Sequence, residues 1–484
     1  MAKNELGITI KKEDDIAAWY TQVVMKSELA EPSAVKGCAV IRPLGFSLWQ
    51  GIQDYFNARL KKLKVKNAYF PLFIPESFFM REAEHVEGFA PEVAWIERKN
   101  DNEEKLGIRP TSETIMYDSY ARWIRSWRDL PLRINQWANI VRWEVSDVKL
   151  FLRSREFLWQ EGHCVYETEE ECDKETMMML NEYVKMGEEL LALPSIPGLK
   201  SEKEKFAGAK YTTTFEMFMP DGKALQSGTS HNLGQGFAKG FGIHFKGRDE
   251  KEHTPWQSSW GVSTRLLGAL IMVHSDNKGL VLPPRIAPLK LVIIPITIKK
   301  NPEASEKVLE KAKELVKSFE DSGIEIELDD REEYSPGFKF SDWELKGVPL
   351  RLELGPRDLE NNSCIIVKRN DGKKITIDLD EVMTKVPELL EEIHNEMFSK
   401  AKQFLEDHEV ETNNYEEMKK VISEGNYVLA PHCGSIECED DIKADTSGIT
   451  TRCRPQNKDS VKEGDLCIRC GKPAKYKIIF ARNY

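Results

Sequence analysis

Phe151-Leu152-Arg153-Ser154-Arg155-Glu156-Phe157-Leu158-Trp159-Gln160-Glu161-Gly162-His163, preceded across a short loop by Val141-Arg142-Trp143-Glu144, decides how this chain folds. Val141 and Trp143 alternate with Arg142 and Glu144, and Phe157 and Trp159 alternate with Leu158 and Gln160. That period predicts two strands joined by a loop, each strand with two distinct faces. A guanidinium held on a rigid strand makes a two-pronged clamp for phosphate, which a flexible ammonium cannot imitate. Arg142 and Arg153 could therefore grip two parts of one polyphosphate. The competing reading is a surface hairpin laced with salt bridges, and two further segments weigh against it.

The first is Arg109-Pro110-Thr111-Ser112-Glu113-Thr114, ahead of a helical stretch from Ile115 to Trp127. Thr111 or Ser112 suits a helix cap and Glu113 suits the first turn, so capping alone explains the pattern equally well. The second is Ser258-Ser259-Trp260-Gly261-Val262-Ser263-Thr264-Arg265, followed by the apolar run Leu266 to Val273. Small residues before a buried helix allow close backbone approach, and an arginine just inside it sets a cation beside a phosphate. Alone, a Gly-x-x-x-Arg pattern is more often packing than chemistry.

In this order the three segments resemble the class II aminoacyl-tRNA synthetases: motif two, motif three, and the amino-acid loop that lies between motifs one and two. Ala68-Tyr69-Phe70-Pro71-Leu72-Phe73-Ile74-Pro75 resembles motif one, which builds the dimer interface in that class. Thr111-Ser112-Glu113, the run from Phe151 to His163, and Thr229-Ser230-His231 are similar to prolyl-tRNA synthetases of the archaeal and eukaryotic type. The resemblance spans nearly the whole chain. It implies an α+β catalytic domain with an antiparallel sheet over residues 1–285, an α/β anticodon-binding domain over 286–400, and a small zinc-bearing α/β C-terminal domain over 401–484.

The residues support the same division. Up to about residue 285, amphipathic stretches such as 47–63 and 169–193 do not alternate regularly with strands, which disfavours a doubly wound sheet. After Leu282-Pro283-Pro284 the pattern changes. A strand at Lys290–Thr297, a helix opened by Asn301-Pro302-Glu303 with core face Val308, Leu309, Ala312, Leu315, Val316 and Phe319, and strands at 324–328, 350–354 and 364–367 predict an α/β unit. It lacks a Gly-rich phosphate loop, so a Rossmann nucleotide site is not expected. A helical connector from Leu389 to Phe404 leads to the last segment.

What the resemblance implies for the site is specific. Arg142 would hold the α-phosphate of ATP and the substrate carboxylate; Arg153 and Arg265 would hold the outer phosphates. Glu144 would face the adenine or the incoming RNA end, Gln226 and Thr229 would lie near ATP and its Mg2+, and Ser154 and Ser263 belong to the same ATP-binding set. Thr111, Glu113, Arg142, Trp159, Glu161, Phe206 and His231 would take L-proline, the carboxylate meeting the secondary ammonium and the rings its flat side. Attack of a carboxylate on the α-phosphorus needs no general base, because the nucleophile is already an anion; the work is positioning and charge stabilisation. Transfer to tRNA(Pro) would follow. The bacterial editing insertion has no room between His163 and Gln257, so any correction of errors falls to a separate factor.

Cys433-x4-Cys438 and Cys467-x2-Cys470 pair thiols at a spacing that closes a tetrahedron around zinc, with Gly434 and Gly471 supplying tight turns. His432 and Cys453 compete for ligand places, but Cys453 has no close partner. A site of thiolates alone is closed, hence structural. For reading the anticodon, Glu344, Arg351, Glu353, Lys368 and Arg369 offer arginine and carboxylate groups suited to unstacked base edges, against the simpler reading of a salt-bridged sheet edge. The apolar and aromatic end, Ile478 to Tyr484, predicts that Tyr484 docks onto the catalytic body.

Composition sets the outer limits. A chain of 484 residues calls for roughly two to four domains. A net charge of -11 argues against indiscriminate nucleic-acid coating, though the excess of basic residues from Lys443 to Arg482 permits a specific RNA partner. The polar start and the short apolar runs predict no signal peptide, no membrane span and a cytoplasmic location. Nine cysteines, four of them scattered (Cys38, Cys164, Cys172 and Cys364), form no disulfide framework. Two other functions compete. A threonine-specific sister enzyme would need a catalytic zinc on one cysteine and two histidines, and no such trio is evident around His163, Cys164 and His231. A catalytically dead RNA-binding relative would have no reason to keep Arg142, Arg153 and Arg265.

Overall fold

The computed structural model describes residues 7–484 apart from 86–91, 101, 299, 321 and 447. Helix α1 (Pro43–Lys62) starts at its proline, whose missing N–H is not needed at that position, and buries Leu48, Trp49, Ile52, Phe56 and Leu60. Helix α2 (Glu113–Trp123) is shorter than the stretch expected from Ile115 to Trp127, because Ile124 turns extended (ψ 119°) and a separate 3-10 turn follows at Trp127–Asp129. Ser112 stands at its N-cap position without capping it through the side chain.

Strands β1 (Leu132–Val141) and β2 (Glu156–Tyr166) pair antiparallel from Leu132 opposite Val165 to Val141 opposite Glu156. This is the expected hairpin with one correction. Arg142, Trp143 and Glu144 lie beyond the end of β1, at the start of the loop. The Arg142 N–H still donates to the Arg155 carbonyl at 2.7 Å, but beyond it Trp143 and Glu144 are exposed and the ladder has nothing more to bury.

Helix α3 (Glu169–Lys185), opened by a capping box between Thr168 and Glu171, runs on as one π turn at Met186–Leu190. Four strands of the main sheet follow: β3 (Ile196–Leu199), β4 (Tyr211–Phe218), β5 (Lys223–Gly234) and β6 (Trp256–Ser263); the last leads into helix α4 (Arg265–His274). Hydrogen bonds order the central sheet β5-β6-β2-β1, all antiparallel, with β4 on the other edge of β5 and β3 beyond it. α1 and α3 cover one face. There the Tyr183 ring stacks between Phe56 (5.3 Å) and Phe215 (5.7 Å), at the centre of the largest core. The opposite face carries the site.

The α/β unit comprises β7 (Leu291–Pro295), α5 (Pro302–Glu320), β8 (Ile326–Leu328), α6 (Pro336–Lys346), β9 (Leu350–Leu354), β10 (Ser363–Lys368) and β11 (Lys374–Asp378). Its strand order is β8-β7-β9-β10-β11, parallel on one side and antiparallel on the other. Val308, Ala312, Leu315 and Phe319 are buried; Leu309 and Val316 are half-buried at the margin of that face. Helix α7 (Val382–Asp407) is longer than the expected connector and runs through Pro387.

The C-terminal segment adds β12 (Tyr427–His432), α8 (Ile436–Asp445) and β13 (Tyr476–Asn483). β13 pairs antiparallel with β12 and parallel with β5 at Lys223–Arg482 and Ala224–Asn483. The catalytic sheet and the C-terminal sheet are therefore one sheet, a continuity that strand periodicity could not reveal. It covers an edge of β5 that would otherwise be open. Tyr484 does dock on the catalytic body, donating its hydroxyl to Asp221 at 2.8 Å. Among the described residues no helix is long and apolar enough to cross a membrane.

Candidate active site

The odd-numbered residues of β2 face away from α3, which brings Phe157, Trp159, Glu161 and His163 to one wall. Gly162 points the other way, where a Cβ would strike the Trp260 ring at 2.2 Å. On β5 the pairing register shifts between Gln226 and Gly228, and this bulge turns both Gln226 and Thr229 toward the cavity despite their odd spacing. β6 ends at Ser263, and Arg265 opens α4 directly beyond it.

These residues enclose a cavity of about 490 Å³, and a second of about 630 Å³ adjoins it, sharing Arg142, Glu144, Phe157, Ser263 and Arg265. Thr111, Glu113, Trp159, Glu161, Gln226, Thr229, Phe206 and His231 line the first; Arg153 and Ser154 line the second. Every residue expected to touch ATP or the amino acid thus borders one continuous space.

The arginine end concentrates positive charge. Arg265 is held by the carbonyls of Leu152 (3.2 Å) and Gln226 (3.0 Å), and burial together with the nearby charge of Arg142 pulls its pKa down to about 10. Arg142 lies over Phe157 and Trp159, at 5.7 and 5.8 Å, and burial lowers its pKa against the pull of Glu144, Glu113 and Glu161. Among the described residues neither guanidinium has a carboxylate ion pair. Like charges gathered around one hollow make it a favourable place for an anion.

The other end is a buried polar network. Burial pushes the Glu161 carboxyl up, but His163 (3.1 Å), Ser112 and Gln136 (2.9 Å) hold it below the usual carboxylate range. His163 is raised in turn: burial lowers it, and the charges of Glu161 and Glu113 overcome that. Thr111 donates to Glu113, so the two hydroxyls taken for helix caps instead serve carboxylates inside the site. Arg109, buried, fastens the preceding loop through the carbonyls of Asn139 (2.8 Å) and Phe70 (2.9 Å). His231 is gripped at both ring nitrogens by Thr212 and Thr229, each at 2.9 Å, with Phe206 4.8 Å from its ring. Burial and the charge of His163 drop its pKa to about 3, so it presents a neutral, flat ring. The indole N–H of Trp159 is buried and has no partner among the described residues. A pocket with carboxylates, an orphan donor and neutral ring faces suits a small cation with an apolar ring.

Residues 95–274 match the class II synthetase core domain of the G, H, P, S and T group, 290–389 an anticodon-binding domain, and 415–484 the C-terminal domain of prolyl-tRNA synthetase. A proline–tRNA ligase of Alkaliphilus oremlandii is 49% identical over 475 residues, covering 98% of this chain and 97% of that one. Proline–tRNA ligase 2 of Clostridioides difficile is 46% identical, covering 100% of both. The chain belongs to the prolyl-tRNA synthetases. Crystal structures of the Cryptosporidium parvum prolyl-tRNA synthetase, one with halofuginone and AMPPNP and one with L-proline and AMP, agree with it at a TM-score of 0.94. They are 42% and 41% identical, and each match covers 100% of this chain and 98% of theirs.

Elsewhere in this synthetase, the cysteines expected to bind metal come together. Cys438 and Cys467 Sγ are 3.6 Å apart, as are Cys433 and Cys470. His432 also sets a ring nitrogen within 4.8 Å of the sulfurs of Cys433, Cys438 and Cys467. A tetrahedral thiolate site requires sulfurs about 3.8 Å apart, since Zn–S is about 2.3 Å. The cysteine pairs fit, whereas His432 Nδ1 already accepts the Gly434 N–H at 3.0 Å. Cys453 lies elsewhere, buried beside the Ile196 carbonyl.

The five residues named for anticodon reading are largely engaged. Arg351 donates to Glu353 (2.9 Å) and Glu344 (3.3 Å), Lys368 binds Glu392 and Glu396, and Arg369 is bidentate to Asp276 at 2.7 Å, which ties the α/β unit to the segment just after α4. The sequence reading missed Ser112, Gln136 and His163 as site-network residues. Gln136 is one of several polar residues on its strand, beside Arg133, Asn135 and Asn139, so nothing local singled it out; its partner Glu161 stands directly opposite on β2.

Proposed function

We propose that this proline–tRNA ligase carries out both steps of its reaction in the cavity lined by Arg142, Arg153 and Arg265, and that these three guanidinium groups are its ATP and transition-state clamp. The observation that carries this is their gathering around one continuous space, with no carboxylate ion pair among the described residues, next to a buried carboxylate network. Arg142 stands between the two cavities, where it would bridge the substrate carboxylate and the α-phosphate; Arg265 and Arg153 would take the outer phosphates, with Ser154, Ser263, Gln226 and Thr229 around them. Anchored by two carbonyls, Arg265 needs no reorganisation as charge develops. Glu113 and Thr111 would meet the two N–H donors of proline, with Glu161 behind them, while Trp159, Phe206 and His231 pack against its ring. Glu144 would face adenine and then the terminal ribose.

Magnesium prefers oxygen ligands and rides mainly on phosphates, so the fitting protein groups are the oxygens of Glu144, Gln226 and Thr229. When bound it would neutralise phosphate charge. Zinc, held by Cys433, Cys438, Cys467 and Cys470, would be structural. The unit boundaries at 285 and 400, the anticodon role of Glu344, Arg351, Glu353 and Lys368, a cytoplasmic location and a separate editing factor belong to the same proposal. So does a homodimer through motif one, supported by the exposure of Tyr69 (74%), Phe73 (46%) and Met80 (60%) on one stretch of surface.

The decisive experiment is amino-acid-dependent exchange of pyrophosphate into ATP, run with each of the amino acids. Exchange that depends on proline and collapses in Arg142→Lys supports the assignment; full exchange in that variant overturns it.

A further inference from the structure

The segment from Lys200 to Phe206 lies between two parts of the molecule. At its far end Glu204 and Phe206 line the cavity, and Phe206 packs on His231. Its near end is buried against the C-terminal unit. Ser201, 2% exposed, donates its hydroxyl to Glu439 Oε2 at 2.9 Å, and the same carboxylate oxygen accepts from Thr451 at 2.6 Å. Ser201 Oγ in turn accepts the Glu204 N–H at 3.3 Å, and the Ser201 carbonyl accepts the Lys205 N–H at 3.0 Å. Next to this contact Lys203 pairs with Asp440, and Lys200 reaches Glu216, which also binds Arg452. The Phe206 N–H donates to Thr212, whose hydroxyl holds His231 Nδ1.

We propose that Glu439, contributed by α8 of the C-terminal unit, is a positioning residue for the amino-acid end of the cavity, acting through Ser201 on residues 201–206. The inference rests on the assignment of that end to proline. A buried carboxylate taking two hydroxyl donors fixes the turn at Ser201 to Glu204, and this turn sets where Phe206 meets the His231 ring. Small displacements of a substrate-facing wall are costly because reaction requires close alignment. Glu439 immediately follows Cys438, so the cysteine cluster and the proline wall share one rigid connection through α8.

The test uses the full-length protein with Ser201→Ala, Glu439→Ala and Glu439→Gln, measured by pyrophosphate exchange with proline and ATP varied separately. Ser201→Ala and Glu439→Ala should raise KM for proline roughly tenfold and leave KM for ATP within about twofold. Glu439→Gln keeps a carbonyl acceptor for both hydroxyls and should restore most of the loss. The Ser201→Ala/Glu439→Ala pair should be no worse than Glu439→Ala alone, since both break the Ser201–Glu439 link. An unchanged KM for proline in both alanine variants, or proline and ATP constants rising together, would overturn the proposal. If Glu439→Ala fails to fold, Ser201→Ala, which removes one hydroxyl, decides alone. Absence of proline-dependent exchange in the unaltered enzyme would sink the pocket assignment instead, so the two failures are distinct.

Discussion

His231 lies against Phe206 with ring centroids 4.8 Å apart, and both its nitrogens are occupied by threonine hydroxyls. The pair forms an apolar wall only while the imidazole is neutral. Its folded pKa of about 3 lies below the ordinary 6.5, so the unfolded chain binds the proton more readily. The sign follows: the stability contributed by neutral His231 is complete above 6.5 and is lost as pH falls toward 3. Between these limits His231→Asn should show a shallower decline of thermal midpoint with falling pH than the parent. Identical slopes would contradict the assignment.

Arg142 and Arg265 make their case by charge placement. Replacing either with lysine keeps the charge and removes the fork. Exchange kcat should fall by about 10²–10³-fold, the usual loss when one preorganised donor is removed. A fall of less than about threefold would mean that the guanidinium is not aimed at developing charge.

Glu216 is buried between Lys200 (2.8 Å) and Arg452 (2.7 Å), two cations on one carboxylate. Burial raises its pKa, and the two cations more than reverse this, holding it at about 2. Glu216→Gln strands two buried cations and should cost about 3–5 kcal/mol in chemical denaturation. Arg452→Met, which leaves Lys200 and Glu216 paired, should cost less. The reverse order would refute the triad's logic. The same carboxylate gives stability present above the ordinary value of 4.5 and lost as pH falls toward 2.

The cysteine cluster predicts one tightly held zinc per chain by elemental analysis. Cys467→Ser should lose the metal and lower the thermal midpoint, because binding energy at a closed thiolate site is folding energy. Cys453→Ser should retain it. Metal retained in the first variant would point to His432 as a ligand.

Tyr69 and Phe73 leave large apolar surface bare beside the strand pair Phe73–Pro75 and Leu106–Ile108. If that face is the dimer interface, Phe73→Glu should shift the mass measured by light scattering from two chains to one. A variant that remains dimeric would place the interface elsewhere.

Much of this was written in the local order of residues. Alternation around Phe157 and Trp159 specifies a strand with two faces, and apolar spacing from Leu48 to Leu60 specifies a helix, because both follow from the geometry of neighbouring residues. The paired cysteines were legible for the same reason, as close spacing limits where two thiols can point. Where local pattern misled, a partner was missing or different. Arg142 falls off the strand because nothing pairs beyond it, and Thr111 and Ser112 turn from a helix end to buried carboxylates.

The amino-acid order by itself determined the kinds of element, the family motifs and the chemical groups available for catalysis. Only the tertiary structure decided that β13 completes the catalytic sheet, that Arg452 meets Glu216 across 236 positions, and that Glu439 reaches Ser201. The reason is physical: local geometry is set by sterics and hydrogen bonding within a few residues, whereas long-range contacts depend on how the whole chain closes around its buried surface.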